Sequence, residues 1–234
     1  MKKERKPRNP DEKLGFGKLL AWKSSDVSAA AVNLIINNYM LIFCTNVLGL
    51  DALKVGTILL VANIIDAITD LIAGYVVDSM PPTRFGKGRP WDLCILGVSI
   101  LTIILFCTPS GASESFKYVF VFVLYNLIFG VFNTMRGAGA WPYEVRAFGT
   151  NRTKIAKLHS FGGFVTMFAS IFLNLMFPRM FKLFGSDTAA GLSAAGWRTI
   201  VLVFLVPLSA ISICRFIFVK EDPEIDAGQQ ALKL

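Results

Sequence analysis

Six long apolar stretches constrain this chain more than any other feature of its sequence. An α-helix needs roughly 20 apolar residues to cross a bilayer core of about 30 Å. Stretches of about that length lie at residues 27–48, 55–77, 93–109, 118–141, 160–177 and 199–219. Apolar and polar residues do not alternate with a period of two along them, which excludes a membrane β-barrel. The sequence therefore predicts an all-α integral membrane protein with six transmembrane helices.

The composition agrees with this prediction. Hydrophobic residues make up 54% of the chain and charged residues 17%, whereas about a quarter of a soluble domain is charged. The chain therefore has too little polar surface to face water on all sides, and its 20 Phe residues exclude a disordered protein. The four cysteines each lie in an apolar stretch without metal-ligand spacing, so we expect small hydrophobic residues rather than a metal site.

The basic residues lie mainly on one side of the predicted bundle. The net charge is +8, and most Lys and Arg residues lie near the N-terminus, after the second and fourth stretches, and after the last one. The opposite side has Lys54, Lys117, Arg179, Lys182 and Arg198. This asymmetry follows the positive-inside rule and argues against a nucleic-acid partner. It predicts a multi-pass plasma-membrane protein with cytoplasmic termini: a basic tail (1–24), the helical bundle (25–219) and a polar tail (220–234).

The second stretch contains acidic residues at the depth of the bilayer core. Four residues recur at every fourth position and share one helix face: Asp66, Asp70 and Gly74 in this stretch and Asp78 directly after it. Ionisable residues inside a span are costly and indicate function by default. Two carboxylates with the Thr69 hydroxyl between them suit a small, hard cation, or a proton taken up by one of them. Arg136 in the fourth stretch needs a counter-charge, which we expect Asp66 or Asp70 to supply; a purely structural network is the alternative.

Polar side chains in the first and fourth stretches are candidates for contact with a solute. Asn33 and Asn37 share a helix face, which suits either a polyol ligand or an interhelical hydrogen bond. Trp141 ends the fourth stretch, where an indole either stacks on a sugar ring or anchors the helix at the membrane interface. The sequence has no nucleophile elbow and no phosphate-binding loop, so we expect no enzyme activity.

Several motifs in the chain are recognisable. They read T-N-V-L-G-L (45–50), V-G-T (55–57), D-A-I-T-D (66–70), R-F-G-K-G-R-P-W (84–91) and P-Y-E-V-R-A-F (142–148). Together they resemble the glycoside–pentoside–hexuronide:cation symporter family, the melibiose permease-like branch of the major facilitator superfamily. Members of that family have twelve spans in two six-helix halves. The resemblance implies that this chain is the N-terminal half of such a fold.

The resemblance also implies roles for individual residues. The coupling cation would be bound by Asp66, Thr69, Asp70 and Thr134. Trp141 would stack on a sugar. The position at which the family's helix four has a substrate-binding carboxylate is occupied by Gly137, beside Arg136. The helix-one aspartate that binds substrate is matched by Asp26 only with a shift of about one turn. The family's conformational-switch loop, whose charge contacts hold one closed state of the transporter, matches Gly74, Asp78, Arg84, Lys87 and Arg89. Asp78 would be the charge partner of the basic residues.

We therefore expect a cation-coupled symporter of sugars, glycosides or a related small solute, present as a six-helix half. The coupling ion would be Na⁺ or H⁺, with no other metal or cofactor. Its expected partners are a sugar-like solute, the lipid bilayer, and a second six-helix half or a second copy of the chain. The solute would contact Asp26, Asn33, Asn37, Arg136 and Trp141. The alternative is a non-transporting six-helix scaffold or partner; a channel is disfavoured because no filter-like loop occurs.

Overall fold

The computed structural model describes residues 15–222, in which six helices are long and apolar enough to cross a membrane. We number them α1 (Phe16–Val47), α2 (Ala52–Ser79), α3 (Arg89–Phe106), α4 (Glu114–Phe148), α5 (Arg152–Leu183) and α6 (Ala194–Phe218). Within the described residues the only strand-like feature is an isolated bridge between Thr83 and Gly86. The predicted all-α architecture with six membrane helices is confirmed.

Helix α1 begins earlier than its apolar stretch indicates. It starts at Phe16, so residues 16–24, which we expected in the basic N-terminal tail, are helical. The predicted boundary follows hydropathy, whereas the helical hydrogen bonds continue through polar residues such as Lys18 and Lys23, whose aliphatic stems cover apolar surface. Residues 1–14 and 223–234 of the predicted tails lie outside the described residues.

Polar side chains cap four of the helices at their N-terminal ends. Asp51 accepts the backbone N–H of Lys54 at 2.9 Å at the start of α2. Ser113, Asn151 and Ser193 accept backbone N–H groups in the same way at the starts of α4, α5 and α6. Such caps satisfy donors that have no partner within the helix. The positions of these helix starts are therefore encoded locally in the sequence.

Aromatic side chains join the helices at one end of the bundle. Trp197 of α6 is fully buried. Its ring centroid lies 5.5 Å from that of Phe106 on α3, 5.8 Å from that of Phe181 on α5 and 6.0 Å from that of Phe43 on α1. Aromatic pairs at these separations add to the stabilisation from burial. One side chain thus connects four helices.

A second aromatic cluster lies at the opposite end of the bundle. The ring of Trp22 on α1 lies 4.9 Å from that of Tyr143 and 5.1 Å from that of Phe148, both on α4. The Tyr143 hydroxyl lies 3.0 Å from the carbonyl oxygen of Arg215 and 2.6 Å from that of Val219. These contacts fix the end of α4 against α1 and α6.

Helix α2 is the least enclosed of the six helices. Helix α1 packs on α6 and α5, α3 lies against α4 and α6, and α2 packs chiefly along α4. In the apolar 18-residue segment of α2, 11% of the residues are buried, against 56% in the corresponding segment of α1. Because α2 carries the two aspartates, this packing places them at the contact with α4 and beside an open face of the bundle.

We expect Trp197→Ala to destabilise the protein strongly, because it removes the ring that connects four helices. Truncating a buried aromatic residue costs about 3–5 kcal/mol, which corresponds to a fall of about 10 °C in Tm for a chain of this size. Thermal unfolding in detergent measures the effect. Phe168→Ala is the matched control, because Phe168 is 65% exposed; an equal loss in both variants would contradict the role of Trp197.

Candidate functional site

The structure places two aspartates of α2 against one hydroxyl of α4. The Oγ1 atom of Thr134 lies 3.1 Å from Oδ1 of Asp66 and 3.0 Å from Oδ1 of Asp70. It also lies 2.8 Å from the carbonyl oxygen of Phe129. A hydroxyl group has one proton to donate, so three acceptor oxygens compete for that proton. We call this arrangement the Asp66 site.

Within the described residues, the Asp66 site has no compensating positive side chain. Across residues 15–222, the ion pairs of Lys, Arg and His side chains involve neither Asp66 nor Asp70. Asp66 is half-buried and Asp70 is exposed on the open side of α2. Like charges so close together repel each other in a medium of low dielectric constant. The arrangement therefore suits a cation or a proton shared between the two carboxylates.

The backbone of α4 allows α2 to approach closely at this point. Residues Leu127–Asn133 are π-helical, and π turns are frequent at functional sites. A Cβ atom on Gly130 would lie 3.3 Å from Oγ1 of Thr69 and 3.9 Å from Oδ1 of Asp66. The Thr69 hydroxyl itself donates to the carbonyl oxygen of Asp66 at 2.9 Å. All four residues that we expected at a cation site thus lie together, and Gly130 packs against them.

Arg136 does not pair with these aspartates, so that expectation is wrong. Its Nη1 atom lies 3.4 Å from Oδ1 of Asp26 on α1. Thr134 and Arg136 are two residues apart, which is about 200° around a helix. Because Thr134 faces α2, Arg136 faces away from α2 and reaches α1 instead.

Asp26 lies among several cations. Its Oδ2 atom accepts from Lys23 Nζ at 2.9 Å, and its Oδ1 atom lies 3.1 Å from Nη1 of Arg215 on α6. Arg215 also lies 3.4 Å from Asp92, and its guanidinium lies 3.6 Å from the ring centroid of Trp22. The sequence analysis counted Arg215 only as a basic residue of the C-terminal side and assigned neither Arg215 nor Asp92 to a site. An arginine within the last apolar stretch was the available signal, since an intramembrane charge indicates pairing or function.

The other candidate solute contacts lie on open surfaces. Asn33 and Asn37 are exposed on α1, and within the described part of the chain neither forms an interhelical hydrogen bond. Trp141 is 63% exposed and borders a cavity of about 390 Å³ between the ends of α4 and α5. It follows Thr134 by about 10 Å along the axis of α4. These side chains are therefore not covered by the other described helices.

The basic α2–α3 loop contacts backbone oxygens rather than the carboxylate that we expected. Lys87 Nζ donates to the carbonyl oxygen of Asp78 at 2.8 Å, and the Asp78 side chain is exposed. The guanidinium of Arg84 lies 4.7 Å from the ring centroid of Phe85. Gly74 lies one turn before Asp78 on α2. In this conformation Asp78 is not the charge partner of the loop.

A glutamate that the sequence analysis missed binds this loop instead. Glu221 follows α6, and its carboxylate accepts the backbone N–H groups of Lys87 and Gly88, each at 2.9 Å, and that of Arg89. It also lies 3.9 Å from Nε of Arg146. The Arg89 guanidinium donates to a carbonyl oxygen near the end of α6. Burial raises the pKa of Glu221, although the three N–H groups and Arg146 oppose the rise.

Comparison with known proteins gives the family. Residues 22–233 match the family model described as MFS/sugar transport protein. The chain belongs to this family. It is 28% identical to an uncharacterized symporter, YnaJ, of Bacillus subtilis (strain 168), over 95% of this chain and 47% of the relative. It is also 28% identical to the isoprimeverose transporter of Lactiplantibacillus pentosus, over 85% of this chain and 41% of the relative.

A third relative matches more closely over a shorter region. The chain is 34% identical to the inner membrane symporter YicJ of Escherichia coli (strain K12), over 50% of this chain and 24% of the relative. The chain thus spans less than half the length of these curated relatives. The predicted resemblance to glycoside–cation symporters, and the fold of an N-terminal MFS half, are confirmed. The six helices are the spans of a multi-pass membrane protein, in a family of transporters rather than enzymes.

We expect Glu221→Gln to change how stability depends on pH. Because the pKa of Glu221 is raised in the folded state, the folded protein binds a proton that the unfolded chain releases above a pH of about 4.5, the ordinary glutamate value. The contribution of Glu221 to the free energy of unfolding therefore falls as the pH rises from about 4.5 through the raised pKa of the folded state. The variant should lose this component, which Tm measured against pH detects. The exposed Glu114→Gln is the control, and an unchanged pH profile in Glu221→Gln would contradict the assignment.

Proposed function

We propose that this chain is the N-terminal half of a cation-coupled symporter of sugars, glycosides or a related small solute. The proposal rests on one observation: Thr134 offers one proton to three acceptor oxygens, two of which belong to carboxylates that have no positive partner among residues 15–222. The family is one of sugar transporters. An isolated structural network would satisfy its own hydrogen bonds, whereas here two carboxylates share one hydroxyl proton.

Cation binding would compensate the negative charge of the Asp66 site. A Na⁺ ion binds carboxylate and hydroxyl oxygens, which Asp66, Asp70, Thr69 and Thr134 present. A proton would serve the same purpose by neutralising one carboxylate and supplying the missing hydrogen bond. Either ion favours the conformation in which α2 and α4 are in contact at this site. By linkage, a solute that prefers the same conformation then binds more tightly.

The solute would bind on the open faces of α1 and α4. Asn33, Asn37 and Trp141 are exposed there, and Asp26 and Arg136 lie between the two helices. Solute sites in this kind of fold lie between two repeats near the bilayer midplane. We therefore propose that a second six-helix half, or a second copy, covers this surface. The basic side of the bundle would face the cytoplasm, with both termini, in the plasma membrane.

The decisive test is thermal unfolding of the purified chain in detergent, with sodium titrated against choline at constant ionic strength. We expect sodium to raise Tm by about 5–10 °C at a hundredfold excess over Kd, because an ion that binds only the folded state adds about 2.7 kcal/mol. Asp66→Asn should abolish the shift. Asp51→Asn, which exchanges one helix cap for another, is the matched control.

The same titration at several pH values separates the alternatives. A pH-dependent stability change that Asp66→Asn removes, without any sodium effect, would identify H⁺ as the coupling ion. Absence of both effects in a folded protein would contradict coupled transport and favour the non-transporting scaffold.

We also expect Gly130→Ala to weaken sodium binding. The new Cβ atom would lie 3.3 Å from Oγ1 of Thr69, so that hydroxyl must move by a few tenths of an ångström. A displacement that costs about 1 kcal/mol lowers affinity about fivefold. Gly137→Ala adds the same methyl group to the same helix, and nothing lies within 4 Å of its Cβ position. The sodium titration should leave Gly137→Ala unchanged; equal behaviour of the two variants would show that Gly130 does not limit the site.

A further inference from the structure

A groove runs along α1 between α5 and α6. Both of these helices pack on α1 but make few contacts with each other, so α1 forms the floor of the groove. Its volume is about 750 Å³, which lies within the range of about 300–1,000 Å³ that is typical of ligand sites. We call it the α1 groove; its lining includes Lys18, Ala21, Val27, Leu208, Ile211 and Phe218.

The α1 groove extends over about half the thickness of a membrane. It reaches from Gly17 to Val27 on α1 and from Phe218 back to Leu208 on α6, which is about 15 Å of helix on each side. The hydrocarbon core of a bilayer is about 30 Å thick. Because α1 begins and α6 ends on the basic side of the bundle, the groove spans the leaflet on that side. An acyl chain of this leaflet ends at the same depth, whereas a further membrane helix would need a groove about twice as long.

The interior of the α1 groove offers little to a polar ligand. The Ser24 hydroxyl already donates to the carbonyl oxygen of Ala21 at 2.8 Å, and Lys23 Nζ binds Asp26 at 2.9 Å. The stem of Lys23 closes the groove towards α5, where a Cβ atom on Gly162 would overlap Lys23 Cε. Apart from Lys18, the other side chains of the lining are apolar. A cavity of this kind excludes ordered water and takes apolar ligands.

The mouth of the α1 groove lies at the most basic part of the chain. Lys18 lines this end of the groove, and the exposed Lys220 lies just beyond the end of α6. The first 23 residues of the sequence contain eight Lys and Arg but only three Asp and Glu. Clusters of about four to eight basic residues beside a membrane span attract anionic lipid headgroups. The groove therefore combines an apolar interior with a mouth that favours negative charge.

We propose that the α1 groove binds one anionic phospholipid from the leaflet on the basic side of the bundle. One acyl chain lies in the groove, and the phosphate of the headgroup lies at Lys18. The lipid joins α5 to α6, which otherwise meet mainly through α1, and it stabilises the folded bundle because it binds only that state. The inference is independent of ion coupling, since none of the lining residues belongs to the Asp66 site.

The test compares two lipids that have the same acyl chains and different headgroups. The purified chain in detergent is titrated with dioleoyl phosphatidylglycerol, which is anionic, or with dioleoyl phosphatidylcholine, which has no net charge, and native mass spectrometry measures the first bound lipid. We expect phosphatidylglycerol to bind at least fivefold more tightly. Lys18→Gln should weaken its binding about fivefold, the effect of one lysine beside an anionic headgroup. Lys157→Gln removes an exposed lysine of α5 outside the groove and should change neither affinity.

A second pair of variants tests the position of the acyl chain. Gly17 lines the groove, and nothing lies within 4 Å of its Cβ position, so Gly17→Trp introduces a ring at the mouth without a clash at Cβ. This variant should lose about tenfold in affinity for phosphatidylglycerol. Gly163→Trp is the matched control, because Gly163 on α5 has equal space at Cβ and lies outside the lining. Thermal unfolding without added lipid verifies that both variants are folded.

Several results would overturn the inference. Equal affinity for the two lipids, or a preference that survives in Lys18→Gln, would refute the headgroup contact. Unchanged binding in a folded Gly17→Trp variant would refute the position. If sn-glycerol 3-phosphate raised Tm as much as phosphatidylglycerol, the ligand would be a soluble phosphate. A dimer that Gly17→Trp disrupts, without any lipid preference, would assign the groove to a second copy of the chain.

Discussion

A carboxylate at the depth of a membrane must find a positive partner or a proton donor, and the polar parts of this bundle are arranged around that requirement. Asp26 meets it with three cations drawn from α1, α4 and α6. In the part of the chain that the structure describes, Asp66 and Asp70 meet it only with the hydroxyl of Thr134. The same chemical group is thus over-compensated in one place and under-compensated in another.

Helix α4 separates these two environments. Thr134 faces α2 and Arg136 faces α1, so one helix carries a polar contact on each of two sides. Aromatic packing of Trp22 against Tyr143 and Phe148 fixes the far end of α4. A shift of α4 that alters its contact with the aspartates would therefore also alter its contact with Asp26. In the proposed symporter, this connection would couple the ion site to the solute site.

The sequence predicts the parts of this structure that depend on one helix at a time. Each apolar stretch gives one span, and the four-residue spacing of Asp66 and Asp70 places them on one face. The partner of Arg136 was not predictable, because it depends on how α4 is rotated against α1. Glu221 was missed for a similar reason: it binds the loop at Lys87, which lies more than 130 residues earlier in the chain. Contacts between distant segments require the packing of the whole bundle.

The directions in which the side chains of α4 face depend on the number of residues in the helix. The π-helical segment Leu127–Asn133 holds an additional residue relative to regular α-helix, so every later position is turned by about 100° from where uninterrupted helical periodicity would place it. Loss of one residue from this segment would leave a span of ample length and nearly the same hydropathy. It would nevertheless turn Thr134 from α2 and Arg136 from α1, and both polar contacts would disappear without the substitution of any charged residue.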